Sequence, residues 1–212
     1  MKVLWAKLIM WVKEKFYRYI LIKKLFFFLK IFFILLFFTN ICSANLQKNL
    51  INKLTGIRTL SFDFKQKISD QEEIGKCFIK YPLLMKCNYQ NLKQKTIISN
   101  GKTVAIIKKK YKKIYYYPIK TTPLFFILQK EKIISLIRKN LPTKINSNLV
   151  EFEFIDKKTN RVKIIFDKNS LEFKGWETKD AYSNDVSFEI INLMINNQII
   201  DDFFKIPREE DL

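Results

Sequence analysis

The chain has 212 residues, enough for one domain with a sizeable core, and its formal net charge is +19. It contains no histidine, the commonest general base at neutral pH and the commonest metal ligand, so most hydrolase and zinc-site classes are excluded. The positive charge is compatible with nucleic-acid binding. However, lysine outnumbers arginine 34 to 5, and Asn, Ile and Phe are abundant, as codon bias in an AT-rich genome produces. We therefore predict no nucleic-acid partner, no cofactor, no metal site and no enzyme activity.

The first 44 residues have the order of a secretory signal peptide. Residues 1–24 are rich in Lys and Arg, Leu25–Ile41 is almost wholly apolar, and Cys42-Ser43-Ala44 ends the segment with small residues. We predict cleavage after Ala44 and export, with residues 45–212 as the mature domain. Two alternatives remain: an uncleaved amino-terminal anchor, and acylation of Cys42. The second is disfavoured because Ile41 stands where a lipoprotein signal needs a small residue.

The residues after the leader change from a helical to a strand period. Apolar residues recur at helical spacing first, which predicts one amphipathic helix from Leu46 to Arg58. From Leu60 to Ile68 apolar and polar residues alternate, and from Cys77 to Tyr89 nearly every odd position is apolar. This pattern predicts one strand and then two strands joined near Pro82, each with one solvent-exposed face and one buried face.

Three further strands are predicted at Lys95–Ser99, Lys102–Lys109 and Lys112–Tyr117. The segment Ser99-Asn100-Gly101-Lys102 is typical of a tight hairpin turn. In the first of these strands either Ile97 or Ile98 could face inward. In the third strand either Tyr115 or Tyr116 could do so.

A helical insertion and a second group of strands follow. Thr122-Pro123 begins an unusually apolar helical stretch, since proline is favoured in a first turn. Strands are then predicted at Glu151–Asp156, Arg161–Asp167, Leu171–Glu177 and Asp185–Met194, with Asp202–Pro207 as a last edge segment. The order predicts one large antiparallel sheet curled around helices, because strand twist accumulates and open edges invite aggregation.

Five short motifs occur in the same order as in a known family. They are Ser61-Phe62-x-Phe64-x-Gln66, Gly75 with Tyr81-Pro82, Ile98–Lys102, Thr122-Pro123-Leu124, and Ile199–Pro207. Their order and spacing cover nearly all of residues 45–212. The sequence thereby resembles the LolA-type carriers, periplasmic proteins that move lipoproteins from the inner to the outer membrane.

The resemblance implies an α+β fold in which one curved antiparallel sheet forms an incomplete barrel of about eleven strands capped by helices. It also implies a periplasmic carrier that takes acylated lipoproteins from an inner-membrane ABC-type release complex and hands them to the outer membrane, in many family members through a related receptor lipoprotein, and whether such a receptor exists here is left open. We expect a monomer. One position departs from the family: Tyr81 replaces an arginine that hydrogen-bonds to the lid. A charge-assisted latch is therefore not expected at Tyr81.

The strand alternation supplies candidates for an apolar cavity and for its cover. The predicted lipid-binding residues are Phe62, Phe64, Ile79, Tyr81, Met85, Tyr89, Val104, Ile106, Val162, Ile164 and Phe166. The predicted lid residues are Leu124, Phe125, Ile127 and Leu128. Ordinary core packing is the alternative for each of them, because a sheet buries one face in almost every protein.

Two further features allow alternative interpretations. Cys77 and Cys87 lie symmetrically about Pro82 on one strand face, so they are either a cross-strand disulfide or two buried thiols. Lys108–Lys113 straddles a predicted turn and is either solvated or a contact for anionic headgroups or an acidic partner. The alternative function on the same fold is a membrane-anchored lipid sensor or scaffold in envelope signalling, which an uncleaved leader would favour.

Overall fold

The structure is a computed structural model that describes residues 23–31, 41–92, 94–155, 161–180 and 183–212. The chain divides into two compact units, Met1–Leu46 and Gln47–Leu212. In the first unit, residues 23–31 form helix α1, and most of the predicted signal peptide lies outside the described residues. Within the described ranges no helix is long and apolar enough to span a membrane. Cleavage after Ala44 stays a prediction.

The second unit is built on one antiparallel sheet of eleven strands. The strands are β1 Thr59–Ile68, β2 Gln71–Lys80, β3 Leu84–Tyr89, β4 Lys95–Asn100, β5 Thr103–Lys108, β6 Lys113–Pro118, β7 Lys144–Ile145, β8 Leu149–Ile155, β9 Arg161–Asp167, β10 Phe173–Lys179 and β11 Asp185–Ile195. Their order in the sheet is β6-β5-β4-β3-β2-β1-β11-β10-β9-β8-β7. Strands β6 and β7 are the two edges, so the sheet is not closed into a barrel. The predicted fold class is confirmed.

Three helices accompany the sheet: α2 (Ile41–Thr55), α3 (Leu124–Ile127) and α4 (Lys130–Lys139). Helix α2 begins before the predicted Leu46 and ends before the predicted Arg58, at Gly56, a residue of low helix propensity. Helix α3 begins directly after Pro123, as the Thr122-Pro123 pattern predicts. Helix α4 buries Ile133, Ile134 and Ile137. These residues recur at helical spacing, so one side of α4 packs against the protein.

Two glycines permit close approaches within the sheet. A Cβ on Gly75 would overlap the Phe64 ring and the Asn88 carbonyl oxygen, so only glycine lets Phe64 lie over β2. Gly175 has φ +148° and lies beside the Phe188 carbonyl at a register shift between β9 and β10. This shift is a β-bulge, which changes which side chains of β10 face inward.

The predicted turn between β4 and β5 is confirmed. Gly101 has φ +92°, a conformation that glycine adopts without steric cost. The Asn100 side-chain oxygen accepts hydrogen bonds from the backbone amides of Lys102 and Thr103 at 3.1 and 2.9 Å. These bonds replace the strand ladder where the chain reverses.

The prediction of a last edge strand at Asp202–Pro207 is wrong. Residues Asp201–Phe204 form a 3₁₀ turn that lies over the sheet, and Phe204 is buried. The Phe203 ring packs 5.0 Å from the Phe78 ring. Consecutive side chains of a strand point to opposite faces, whereas Phe203 and Phe204 both pack against the protein. The tail therefore covers the sheet rather than extending it.

Candidate functional site

One face of the sheet is apolar across nearly its whole width, and we call it the inner face. The pairing shows its continuity: Phe62 lies opposite Cys77, Ile79 opposite Met85, Met85 opposite Ser99, and Ser99 opposite Val104. On the other half of the sheet the inner face continues through the pairs Phe64 with Ile190, Trp176 with Phe188, Trp176 with Ile164, and Phe152 with Ile164. Side chains that pair directly across strands share a face. The inner face therefore runs from β6 to β8.

Ten of the eleven predicted lining residues lie on the inner face. Nine of these are buried: Phe62, Phe64, Ile79, Met85, Tyr89, Val104, Val162, Ile164 and Phe166. Ile106 is partly exposed. The eleventh, Tyr81, lies in the turn before Pro82 and not on a strand, and burial raises the pKa of its phenol. The structure brings the set together on one surface, but whether lipid contacts it stays a prediction.

The structure also shows which residue of each pair left open by the sequence, Ile97 or Ile98 and Tyr115 or Tyr116, faces inward. Ile97 pairs with Cys87 and Ile106 and therefore faces inward, whereas Ile98 is buried on the opposite, outer face. Tyr115 pairs with Ile106 and faces inward, so Tyr116 faces outward. The outer face of β4 to β6 thus has its own small cluster. Its members are Ile98, Ala105, Ile107 and Ile114, with Ile206 and Leu212 of the tail packed against them.

The prediction of lining residues from the sequence did not include several aromatic residues that lie on the inner face. Trp176 stacks on Phe188 at 4.0 Å between ring centroids, and Phe173 lies 5.8 Å from Trp176. The rings of Phe152 and Phe154 are 6.3 Å apart on β8. The alternating Val-x-Phe-x-Phe of β8 could have revealed its two phenylalanines. Trp176 could not be found by alternation, because the bulge at Gly175 shifts the period.

Helix α3 and the residue after it cover part of the inner face. Of the predicted lid residues, Ile127 and Leu128 are fully buried, and Leu124 and Phe125 are partly buried. Phe126, which was not predicted, has its ring 5.6 Å from the ring of Phe154. Since Phe154 belongs to the inner face, α3 packs against that face; its opening as a lid stays a prediction.

Polar contacts hold the lid in this position. The Leu83 amide, in the turn after Pro82, donates to the Leu128 carbonyl at 3.0 Å. The Lys130 ammonium donates to the carbonyls of Ile57 and Thr55 at 2.7 and 3.0 Å. A cation there also interacts favourably with the carboxyl-terminal dipole of α2. The lid is thus fastened without an arginine at the position of Tyr81.

A second set of polar contacts joins α2 to α4. The Gln47 side-chain amide donates to the Ile137 carbonyl at 2.8 Å and to the Asn140 carbonyl at 2.6 Å. These carbonyls belong to the last turn of α4 and the residue after it, which have no intrahelical donor. Together with Lys130 at the other end, Gln47 ties α4 to α2 along its length.

One end of the inner face is closed by polar side chains. The Tyr89 hydroxyl donates to the Gln66 side-chain oxygen at 2.7 Å, and the Lys95 ammonium lies 3.8 Å from the Tyr89 ring centroid. Lys95 also forms an ion pair with Glu73, to which Asn91 donates at 2.8 Å. Burial, and secondarily the Glu73 charge, raises the pKa of the Tyr89 phenol above its usual 10.0. Tyr89 is therefore neutral in the folded protein at ordinary pH.

Cys77 and Cys87 face each other across β2 and β3. They are directly paired, with Cα atoms 4.0 Å apart, and their sulfur atoms are joined as a disulfide. Both residues are buried on the inner face. This placement agrees with the predicted cross-strand pair, and the oxidation state in the cell stays a prediction. Over the described residues, no cluster of three or more His, Cys, Asp or Glu side chains is placed to hold a metal.

Three solved structures are similar to this chain at low sequence identity. The LolA superfamily protein NE2245 from Nitrosomonas europaea is 8% identical with a TM-score of 0.41, covering 76% of this chain and 97% of that one. A putative outer membrane lipoprotein-sorting protein domain from Vibrio parahaemolyticus is 10% identical with a TM-score of 0.44, covering 76% and 95%. LprF from Mycobacterium bovis is 10% identical with a TM-score of 0.41, covering 73% and 97%.

Family membership follows from the sequence match. A search of curated protein sequences found no match. The family profile described as "Outer membrane lipoprotein carrier protein LolA" matches residues 55–207, more than half of the chain. These residues contain all eleven strands, α3 and α4. The chain therefore belongs to the LolA family of outer membrane lipoprotein carrier proteins.

Proposed function

We propose that this chain is a periplasmic carrier that binds the acyl chains of lipoproteins against its inner face and moves them from the inner to the outer membrane. The observation that carries the proposal is the continuous apolar inner face beneath a short lid. The family is one of carriers. A lipid-binding role thus agrees with both the surface and the family, whereas the direction of transport is our inference.

The energetics define what such a carrier must offer. Each buried methylene group contributes about 0.8 kcal/mol, so one chain of about sixteen carbons resists leaving a membrane by roughly 10 kcal/mol. A carrier without an energy source of its own must supply an apolar surface of similar quality. The inner face does so with aromatic and aliphatic side chains, of which Phe62, Ile79 and Ile164 are completely buried from water in the closed state.

Loading requires the lid to move, since the inner face is covered in the described state. The Leu83–Leu128 backbone bond contributes about 1 kcal/mol net, and the charged bonds of Lys130 about 1.5–3 kcal/mol. Transfer of an acyl chain from a membrane to an apolar surface of similar quality is close to neutral, so these few bonds set much of the cost of loading. The acyl chain can displace α3 at that modest cost, because it replaces the apolar contacts that α3 gives up.

The proposed partners follow from this cycle. We expect the chain to receive acylated lipoproteins from an inner-membrane ABC-type release complex, and to pass them to a receptor lipoprotein at the outer membrane. It acts as a monomer in this scheme, because each step needs the lid of a single chain to open. The alternative, a membrane-anchored lipid sensor or scaffold, shares the inner face but not the transfer step.

The test measures release. A labelled lipoprotein in inner-membrane vesicles that contain the release complex is mixed with the purified chain, and soluble lipoprotein is measured. We expect a soluble one-to-one complex, and mass spectrometry of the mature chain should show Asn45 at its amino terminus. Vesicles that release the lipoprotein to a known carrier but not to this chain would contradict the proposal and favour the sensor.

A matched pair of variants links release to the inner face. Phe126→Asp places a charge between α3 and Phe154. Release should fall at least tenfold, because it costs free energy to bury a carboxylate against the apolar side chains of the inner face. Ile155→Asp changes the neighbour of Phe154 that is 71% exposed, and should leave release unchanged. Equal effects of the two variants would indicate that the inner face does not hold the acyl chain.

A further inference from the structure

The hairpin between β5 and β6 combines positive charge with exposed aromatic rings. Residues Lys108–Tyr117, which we call the Lys–Tyr hairpin, contain five lysines and four tyrosines. All four tyrosines, Tyr111, Tyr115, Tyr116 and Tyr117, are between 43% and 55% exposed. The tip is ordered by a 3₁₀ turn at Lys109–Tyr111, and the Lys112 amide donates to the Lys109 carbonyl at 3.0 Å. The turn therefore presents its lysines together with Tyr111, while Tyr115 and Tyr117 lie on the inner face of the adjoining strand and Tyr116 lies on its outer face.

The surroundings of the hairpin offset only a small part of its positive charge. No Asp or Glu occurs between Glu73 and Glu131, a stretch that contains thirteen lysines. None of the five hairpin lysines forms an ion pair with a carboxylate in the described part of the chain. The Glu209 carboxylate of the tail accepts a hydrogen bond from the Ile114 amide, so one negative charge lies beside Lys113 at the base of the hairpin. Other hairpins at the same end of the sheet carry carboxylates, including Asp70 and Asp185.

Protection of a sheet edge does not explain this arrangement. Strand β6 is an edge, and charged side chains along an edge strand prevent aggregation. Here, however, Lys109, Lys110 and Lys112 lie in the turn before β6, while the strand itself carries Tyr115–Tyr117. The Lys108 ammonium lies 5.1 Å from the Tyr115 ring centroid, so charge and ring adjoin. The pattern matches an interface between water and lipid, where tyrosine and lysine are both favoured.

We propose that the Lys–Tyr hairpin docks on a bilayer surface that contains anionic phospholipids. Lysines near such a surface each contribute about a fivefold increase in binding. The five together therefore give about a three-thousandfold increase in binding. A convex tip suits a flat surface, and lysine acts as a point charge on headgroups, whereas forked phosphate recognition favours arginine, which the hairpin lacks. This inference goes beyond the carrier proposal and does not depend on it, because docking requires no cargo.

The experiment measures which lysines a bilayer shields. The full chain is bound to vesicles of phosphatidylcholine, with or without phosphatidylglycerol, and treated with a water-soluble acetylating reagent before peptide mass spectrometry. On anionic vesicles we expect Lys109, Lys110 and Lys112 to be acetylated at least about fivefold more slowly than on neutral vesicles. Salt at about 1 M, which reduces the Debye length to about 3 Å, should remove this protection.

Internal controls come from three exposed lysines elsewhere. Lys102 lies at the opposite end of β5, about 17 Å from the tip, and Lys139 and Lys174 lie on α4 and β10. Their acetylation rates should be the same on both kinds of vesicle. Because the hairpin and control rates are measured in the same sample, a general effect of vesicle binding through the amino-terminal leader would slow both sets of lysines alike.

Two variants test the cause of the shielding. The triple variant K109Q/K110Q/K112Q should abolish protection of Lys108, whereas the charge-matched K102Q/K139Q/K174Q should retain it. Equal acetylation rates on both kinds of vesicle would overturn the proposal. Protection by RNA or polyglutamate in solution, without protection by anionic vesicles, would overturn it as well, since the hairpin would then recognise a polyanion and not a bilayer. Release of lipoprotein by either variant reports on the carrier proposal separately.

Discussion

At the scale of single residues, two polar side chains form hydrogen bonds at the margins of the inner face. Lys130 fastens the start of α4 to the end of α2, and Tyr89 closes one end of the sheet through Gln66. Each combines a buried stem or ring with one or two good hydrogen bonds. Loss of one partner leaves a partly buried carbonyl or amide without that hydrogen bond, which lowers stability by about the contribution of the bond.

Replacing Lys130 with methionine should loosen the lid. Lys130→Met keeps the aliphatic stem but loses the charged bonds to Ile57 and Thr55, so the free energy of unfolding should fall by about 1–3 kcal/mol. Urea denaturation measures this change, and hydrogen exchange at the Leu128 amide should accelerate. Lys139→Met, at the exposed end of α4, should change the free energy by less than about 0.5 kcal/mol. Similar values for both variants would mean that Lys130 does not fasten the lid.

Tyr89 predicts how stability depends on alkaline pH. Its pKa is raised in the folded state, so the unfolded chain releases this proton first, and the folded state loses stability as pH rises above about 10. Tyr89→Phe should lower the free energy of unfolding by about 1 kcal/mol at pH 7, because the bond to Gln66 is lost. The difference from the unchanged chain should shrink at pH 11. Urea midpoints at both pH values test this, and a constant difference would contradict it.

At the scale of elements, hairpins and the tail differ in how they are held. The β2–β3 hairpin has a covalent link between Cys77 and Cys87 across paired strands. The tail has no strand pairing and depends on side chains, chiefly Phe203 and Phe204, that pack on the outer face. The hairpin should therefore resist local opening more than the tail.

The disulfide predicts a mass and a stability difference. A chain isolated from an oxidising compartment should be lighter by two hydrogen atoms than its reduced form, and alkylation before reduction should leave Cys77 and Cys87 unlabelled. The double variant C77A/C87A should lower the free energy of unfolding by about 2–3 kcal/mol, because the cross-link restricts the unfolded chain. Labelling of both cysteines without reduction would show that they are free thiols.

The tail should contribute to stability through Phe204. Phe204→Ala removes a side chain that is 1% exposed, and should lower the free energy of unfolding by about 3–5 kcal/mol. Ile200→Ala, in the same segment but 68% exposed, should change it by less than about 0.5 kcal/mol. Thermal or urea unfolding distinguishes the two. If both substitutions are neutral, the tail is not packed as described.

At the scale of the whole molecule, the closed lid and the buried face predict stabilisation by cargo. A single-chain amphiphile that binds the folded state should raise the free energy of unfolding by about 2.7 kcal/mol at a concentration of about a hundred times its dissociation constant. Thermal unfolding with increasing concentrations of a long-chain lysolipid measures this. A short-chain lysolipid with the same headgroup should have little effect, because it buries fewer methylene groups. Equal shifts from both would indicate binding to the headgroup and not to the apolar face.

The sequence by itself determined the sheet, the hairpin turn at Gly101 and the inner-face position of ten predicted residues, because strand alternation and turn chemistry are local signals. Only the tertiary structure decided that Ile97 and not Ile98 faces inward, that Trp176 joins the face, and that the tail lies over the outer face. Each of these depends on register, on a bulge or on packing between distant segments, none of which a local period contains. The sequence did not predict strand β7 either, because two residues are too few to show a period.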